Sequence, residues 1–555
     1  MKKYLYSLVL AAVLGGNALN AQSVDQGKKF YYYERFNSAK ETLEKVLAAN
    51  PNDINAIYWL GQTLIEQKDV EGARSLYQKA LATNGNAPLL LVGTGHIELL
   101  DGKKDEARQR FETAISLTKG KDVEIFNAIG KSMVDAKDGD ADYVIEKLTP
   151  VTQQKKFNSP ETWITIGDAY RKKVDGGNAV QSYQRALELN PGYAAAKNRI
   201  AKIYLTQQNT EIFLPAFEDA VRIDPNYAPA IYELYFYYFN RDINKAKDYY
   251  DKYLAVSDPS PENDYEKTAI LFASRRYDEA ISTANGFISS LGDKADPRYY
   301  KLVAYSYDEK KDSVSAKKFL DEYFARQKED KFVPKDYEFR AILLSRFPGN
   351  EAEAMASYDK AIASDTAMES KLELMTNAAA LAKKSGNRLG EAKYLGQLYA
   401  TKKTPNNVDL YNWGFANYQA ANYPTADSIF AVYAEKYPNE IFGYLWRARA
   451  NQAMDTSMTA GLAVPHYEKL GEMARTLDAV KYKGQAVSSY FYLVQYYNDI
   501  KKDKDKALEY IDKVLEVDPT NETAVKIKEV LSKAPAKKTS SSGATPKKPA
   551  ESSGN

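Results

Sequence analysis

An all-α solenoid of antiparallel helix pairs is the fold this chain predicts, on three observations. Small, aromatic and apolar residues recur together every 34 residues. Apolar positions within each repeat follow helical spacing, and prolines punctuate the joints between repeats. The first repeat shows the logic: Gly27, Gly61 and Gly95 stand 34 apart, as do Ala39, Ala73 and Ala107, and Leu43, Tyr77 and Phe111. Three columns sharing one period describe one supersecondary unit stacked many times. A small residue on the first helix of a pair lets the second approach, and an alanine on the second does the same in return. Pro51, Pro191, Pro225, Pro438 and Pro519 end second helices, because proline cannot continue a helix.

The chain before the first repeat has a different character. Lys2 and Lys3 precede an apolar stretch from Leu5 to Leu14, followed by small or polar residues and a cleavage point after Ala21. That is the pattern of a secretory signal peptide over residues 1–21, too short to span a bilayer that needs about 20 apolar residues. The expectation is therefore an exported chain, periplasmic or secreted. No cysteine occurs anywhere, so disulfides, thiolate metal sites and a lipid-anchor cysteine are all excluded.

The second-helix alanine runs on through Ala141 and Ala179, is replaced by Phe213, and resumes at Ala246, Ala280, Ala316, Ala354, Ala392, Ala426, Ala463 and Ala507. About fourteen helix pairs over residues 22–533 are thus expected, most 33 to 38 residues apart. The longest interval, 44, lies between Ala463 and Ala507, and the segments 135–160 and 453–485 are where the array would break if it breaks. An array of this kind explains how 555 residues with 44% hydrophobic content can fold without one large core. Residues 534–555, rich in Lys, Pro, Ser and Ala with no aromatic, cannot offset their ordering entropy and are expected to be a disordered tail.

Trp163, Ile166, Gly167, Tyr170, Ala179, Tyr183, Ala186 and Pro191 resemble the consensus of the tetratricopeptide repeat family. A second copy is carried by Leu410, Gly414, Ala426, Phe430, Tyr433 and Pro438, with Trp413 where the family has leucine and Asn417 where it has tyrosine. The resemblance implies a right-handed superhelix whose first helices line a concave surface, and partners of protein or peptide character lying on that surface. The clamp that some family members use for a terminal carboxylate is not matched by Val24, Lys28, Tyr58 and Gln62.

Chemistry-bearing motifs are sparse. The two histidines, His96 and His466, are far apart in the array and read as solvent-facing or satisfied side chains. Gly93 and Gly95 fall within a repeat helix, so they are packing glycines and no phosphate loop. Asp138, Asp140 and Asp142 alternate as calcium ligands do, but lack the remainder of the twelve-residue loop and read as a solvated turn. The net charge of +2 is carried by Lys2 and Lys3. The tail holds four lysines against one glutamate, so the body carries −3 and offers no footprint for nucleic acid. No catalytic, cofactor or metal site is expected.

Binding is expected on aromatics offset from the packing face. Tyr232, Phe236 and Phe239 share one helix face, as do Tyr411, Phe415 and Tyr418, while Tyr58 and Trp59 occupy the equivalent place in the second repeat. The competing reading of such stripes is core. Forty-four tyrosines, more than the repeat's own aromatic positions require, favour contact with peptide or sugar faces. The expected function is a non-enzymatic interaction scaffold contributing to assembly of an envelope or secretion complex. The alternative is a carbohydrate-binding helical-repeat protein of a glycan-uptake system. Self-association is left open by the sequence.

Overall fold

The computed structural model of the chain describes residues 23–533, and the expectations for residues 1–21 and 534–555 lie outside the described residues. Within it the described chain folds into 29 α-helices and no strand. Successive helices pack as adjacent antiparallel pairs. Pair one is α1 (Val24–Tyr32) with α2 (Phe36–Ala49), pair two α3 (Ile54–Glu66) with α4 (Val70–Thr83), and pair three α5 (Pro88–Leu100) with α6 (Lys104–Leu117). α7 (Val123–Asp135) and α8 (Ala141–Leu148) follow, then α9 (Pro160–Lys172) and α10 (Gly176–Leu189), α11 (Ala194–Thr206) and α12 (Thr210–Ile223). α13 (Ala228–Phe239) and α14 (Ile243–Val256), and α15 (Pro261–Ala273) and α16 (Tyr277–Leu291), complete eight pairs.

α17 (Pro297–Glu309) and α18 (Ser313–Arg326) follow, then the pairs α19 (Pro334–Leu344) with α20 (Glu351–Ser364) and α21 (Met368–Lys384) with α22 (Arg388–Thr401). α23 (Asn407–Gln419) and α24 (Tyr423–Lys436), α25 (Phe442–Met454) and α26 (Val464–Asp478), and α27 (Lys483–Gln495) and α28 (Lys504–Val517) end the series, with α29 (Glu522–Ser532) unpaired after them. The chain divides into two compact units between Ser306 and Tyr307, a division that no change of composition announces.

Local chemistry starts most helices. Asp53 accepts from the Ala56 N–H at 3.0 Å, Asp69 from Gly72 at 2.9 Å and Asp175 from Asn178 at 3.0 Å, each satisfying a donor that the helix itself leaves unpaired. The turns inside the pairs also repeat: Glu34, Lys68, Gly102, Val174, Gln208, Arg275, Lys311, Gly386 and Ala421 all adopt positive φ just after a first helix. Only two of those nine are glycine, so no residue type marks this column in the sequence.

The pair joint is built as the periodic columns require. A methyl group on Gly27 would come 2.6 Å from Leu43, one on Gly95 would come 2.5 Å from Phe111, and Gly61 is covered as tightly by Tyr77. Ala39, Ala73, Ala107 and Ala179 are fully buried. Pair thirteen departs from the register. Ala463 caps α26 from outside, and the position four residues into the helix is Tyr467, stacked on Tyr492 with centroids 4.1 Å apart.

At both segments where a break was conceivable, specific contacts carry the packing across. After α7, Lys172 of α9 donates to the carbonyls of Met133 (3.3 Å), Val134 (3.1 Å) and Ala136, capping the helix end, and the short α8 packs on both α7 and α9. In the long loop before α26, Asp455 accepts from the Gly461 N–H at 2.7 Å, and Tyr496 lies against Gly461, whose φ is 74°.

The tyrosine excess goes largely into the core, correcting the inference from tyrosine number to binding. Among the described residues, eight of the twelve largest fully buried side chains are tyrosines. Several of their hydroxyls reach acceptors on neighbouring helices or loops: Tyr77 donates to the Tyr58 carbonyl at 2.8 Å, Tyr183 to Asp168 at 2.7 Å and Tyr250 to the Asn263 carbonyl at 2.7 Å. A phenol can thus fill a pair joint and satisfy a buried polar group together.

Candidate functional site: a cavity in the N-terminal unit

The N-terminal unit closes one turn of the array on itself. Tyr33, at the end of α1, packs edge-on against Tyr227 (5.8 Å between centroids) and donates to Asp224. Asp258, in the loop after α14, accepts from the backbone N–H groups of Asn37 (2.9 Å) and Ser38 (3.0 Å) and from the Ser38 hydroxyl (2.5 Å) at the start of α2. Arg35 completes the junction at 3.4 Å from the same carboxylate. Pair one is therefore held by the two loops that flank pair seven.

Closure encloses a cavity of about 320 Å³. Its wall is made chiefly by first helices: α1, α3, α7, α9 and α11 all contribute, together with Tyr193 and Tyr227 just ahead of α11 and α13. The lining mixes rings with charges of both signs. Lys28 Nζ lies 5.1 Å over the Trp59 ring and 3.4 Å from Glu161, and Lys131 Nζ lies 4.9 Å over Tyr31 and 3.9 Å from Glu66. Burial would lower the Lys131 pKa, but Asp135 and Glu66 outweigh it and hold it above the usual lysine value. Burial acts in the same direction on Arg199, where Asp168 at 3.0 Å prevails and raises it.

A second cavity of about 390 Å³ lies at the closing seam, between Tyr33, Phe36, Lys202, Tyr232 and Asp258. Glu34, Phe36 and Lys202 line both cavities.

The residues singled out from sequence are distributed among wall, seam and joint. Tyr58 and Trp59 are buried, at 1% and 5% exposure, and form part of the first cavity's wall. Tyr232 lines the seam cavity and donates to Glu266 at 2.6 Å, Phe236 is 67% exposed, and Phe239 packs edge-on against the buried Tyr235. In the C-terminal unit Tyr411, Phe415 and Tyr418 are half-buried. Phe415 and Tyr418 both lie 4.9 Å from the Trp446 ring, and Tyr411 lies 5.5 Å from Phe442, so this trio joins α23 to α25.

His96 is 1% exposed, which overturns a solvent-facing placement. Its Nδ1 donates to Gln62 at 3.0 Å, Gln62 donates to the Tyr77 hydroxyl at 3.1 Å, and its Nε2 lacks a partner among the described residues. Burial lowers its pKa to about 4, so the ring is neutral in the fold. The three alternating aspartates are structural at two positions: Asp140 caps α8 and bonds Arg108 at 2.5 Å, and Asp142 pairs with Lys173.

Charged wall residues such as Glu34, Glu124, Lys131 and Arg199 were absent from the sequence expectations. They lie at no common hydrophobic position, and only closure over more than 190 residues of sequence brings pair one against the loop between α12 and α13. Among the described residues no helix is long and apolar enough to cross a membrane.

Comparison with known proteins follows the same architecture. Family profiles described as "Tetratricopeptide repeat" match residues 32–93, 164–228 and 487–521. The chain is 35% identical over 95 residues to the chloroplastic PsbB mRNA maturation factor Mbb1 of Chlamydomonas reinhardtii, covering 17% of this chain and 14% of that one. It is 21% identical over 219 residues to anaphase-promoting complex subunit 3 of Schizosaccharomyces pombe, covering 38% and 31%. The chain thus spans less than a third of the length of either relative. Among solved structures, the C-terminal part of a TPR repeat-containing protein from Cytophaga hutchinsonii is 30% identical, over 47% of this chain and 98% of that one, with a TM-score of 0.27. A tetratricopeptide repeat protein from Parabacteroides merdae is 20% identical over 45% and 96%, with a TM-score of 0.36. From its first pairs through its middle to its last, this all-helical chain carries tetratricopeptide repeats.

Proposed function

We propose that this chain is an exported, non-enzymatic scaffold whose N-terminal unit holds a protein or peptide partner in the cavity lined by its first helices, and that it serves assembly of an envelope or secretion complex. The observation that carries the reading is the cavity itself: five first helices direct rings and charged groups into one space of about 320 Å³. Such a wall suits a peptide, whose backbone and side chains offer apolar faces and hydrogen-bonding groups in alternation. Export rests on the pattern of Lys2, Lys3 and the apolar stretch up to Ala21.

In-cell photo-cross-linking tests this. A photoreactive residue in place of Tyr32, on the cavity wall, is expected to capture a discrete protein partner in the cell envelope, whereas one in place of Lys79 captures none. Cross-links confined to Lys79, or to polysaccharide, would contradict the reading and return the glycan-binding alternative.

A further inference from the structure

Resting on the reading that the N-terminal cavity is the binding site, we propose that its ligand is cationic, presenting protonated amines or guanidinium groups to the cavity wall. The case begins with how the charges in the wall are paired. Every cationic side chain of the lining already has a carboxylate: Lys28 has Glu161 (3.4 Å), Arg171 and Arg199 share Asp168 (3.7 and 3.0 Å), and Lys202 has Glu233 (3.0 Å). Lys131 is held by Asp135 and, at 3.9 Å, by Glu66. Glu34 and Glu124 line the same cavity and, among the described residues, have no cationic partner within 4.0 Å. An entering anion would have to break an existing pair and strand its carboxylate, whereas an entering cation completes pairs that the fold leaves open.

Two further observations point the same way. Glu34 and Glu124 are exposed, yet partial desolvation by the surrounding protein raises the pKa of each despite nearby lysine, a shift that a bound cation would oppose. The Tyr58 hydroxyl and the Asn198 Oδ1, on side chains 1% and 3% exposed in the same wall, have no hydrogen-bond partner. Each can accept from an N–H donor, the kind that ammonium and guanidinium groups supply in number. The rings match as well, since the wall already sets Lys28 over Trp59 and Lys131 over Tyr31. Glu34 has Arg199 and Lys202 as neighbours and Glu124 has Lys28, so the two acids serve different parts of the cavity and suit a ligand with more than one positive group.

Calorimetric titration of the full chain with three probes tests this: a capped Lys-Gly-Lys-Gly-Lys peptide, its glutamate counterpart, and spermidine. The lysine peptide is expected to bind, and the Glu34→Gln, Glu124→Gln double variant to weaken it about tenfold or more with an unchanged melting temperature. The glutamate peptide is expected not to bind. Binding of the lysine peptide well above spermidine identifies peptide side chains as the source of the charge, and equal binding identifies a free amine. If the double variant melts lower, the comparison of lysine and glutamate peptides on the unaltered chain decides. Equal or tighter binding of the glutamate peptide, or a double variant that binds the lysine peptide normally, overturns the charge assignment while leaving the cavity as the site. Failure of all three probes, with partners cross-linked away from Tyr32, overturns the charge assignment and the site together.

Discussion

At the scale of single residues, the pair joint decides where the chain tolerates change. Ala73 is fully buried where α4 meets α3, so Ala73→Leu should overpack the joint and cost about 1–3 kcal/mol. Lys79 is exposed on α4, and Lys79→Ala should cost within about 0.5 kcal/mol. Thermal melts of equal midpoint for the two would contradict the register. His96 carries a pH prediction. Its pKa falls from 6.5 to about 4 in the fold because burial disfavours the imidazolium, so between those values the unfolded chain binds the extra proton. Its contribution is complete above pH 6.5 and fades as the pH falls towards 4, by about 3 kcal/mol in all. Chemical denaturation of the wild type and His96→Gln at pH 7 and pH 4.5 should show the variant losing less stability on acidification. Equal losses would place the histidine in contact with water. The glycine and alanine columns were legible because steric exclusion at a joint admits few residue types. The burial of His96 was not, since histidine fits a core or a surface and only its Gln62 partner tells which.

At the scale of helices and turns, the left-handed residue that recurs after many first helices is an energetic liability wherever it is branched. Val174 adopts φ 62° while 91% exposed, so its side chain gains no packing to offset the conformation. Val174→Gly should therefore stabilise the chain by about 1 kcal/mol. A lower melting temperature would show that the valine contributes something its exposure conceals. Helical spacing put Tyr411, Phe415 and Tyr418 on one face, as it did Tyr232, Phe236 and Phe239, but spacing cannot say whether the next first helix covers that face. In α23 it does, through Trp446 of α25, so replacing the first trio by alanine should lower the melting temperature markedly. Individual ring truncations of this kind cost about 3–5 kcal/mol when fully buried, and these half-buried rings should cost less. An unchanged melt would free the trio from a packing role. Phe236, 67% exposed, is the member of the other trio for which truncation should leave the melt unaltered.

At the scale of the molecule, the helix class, the pair architecture and the period were written in the sequence, because each repeat carries the same steric signature. Closure was not. It depends on Asp258 meeting the start of α2 across 220 residues and on Tyr33 meeting Asp224 across 191, single polar contacts with no periodicity to betray them. Asp258 satisfies two backbone donors at the first turn of α2, so its removal should loosen pair one locally before the unit as a whole unfolds. Closure also makes the cavity: without it the first helices would line an open groove. Because the chain has no cysteine, a pair introduced at the exposed Asn37 and Pro259, which flank the Asp258 contacts and leave its carboxylate in place, can be read without background. The measurement that tests the account most directly is cross-linking of that pair with a short bis-maleimide in the folded chain, scored by intact mass. A closed turn predicts near-complete intramolecular cross-linking of the 37/259 pair and none of a control pair at 79/259, whereas failure of the 37/259 pair to react together would show the turn to be open and the cavity to be no closed site.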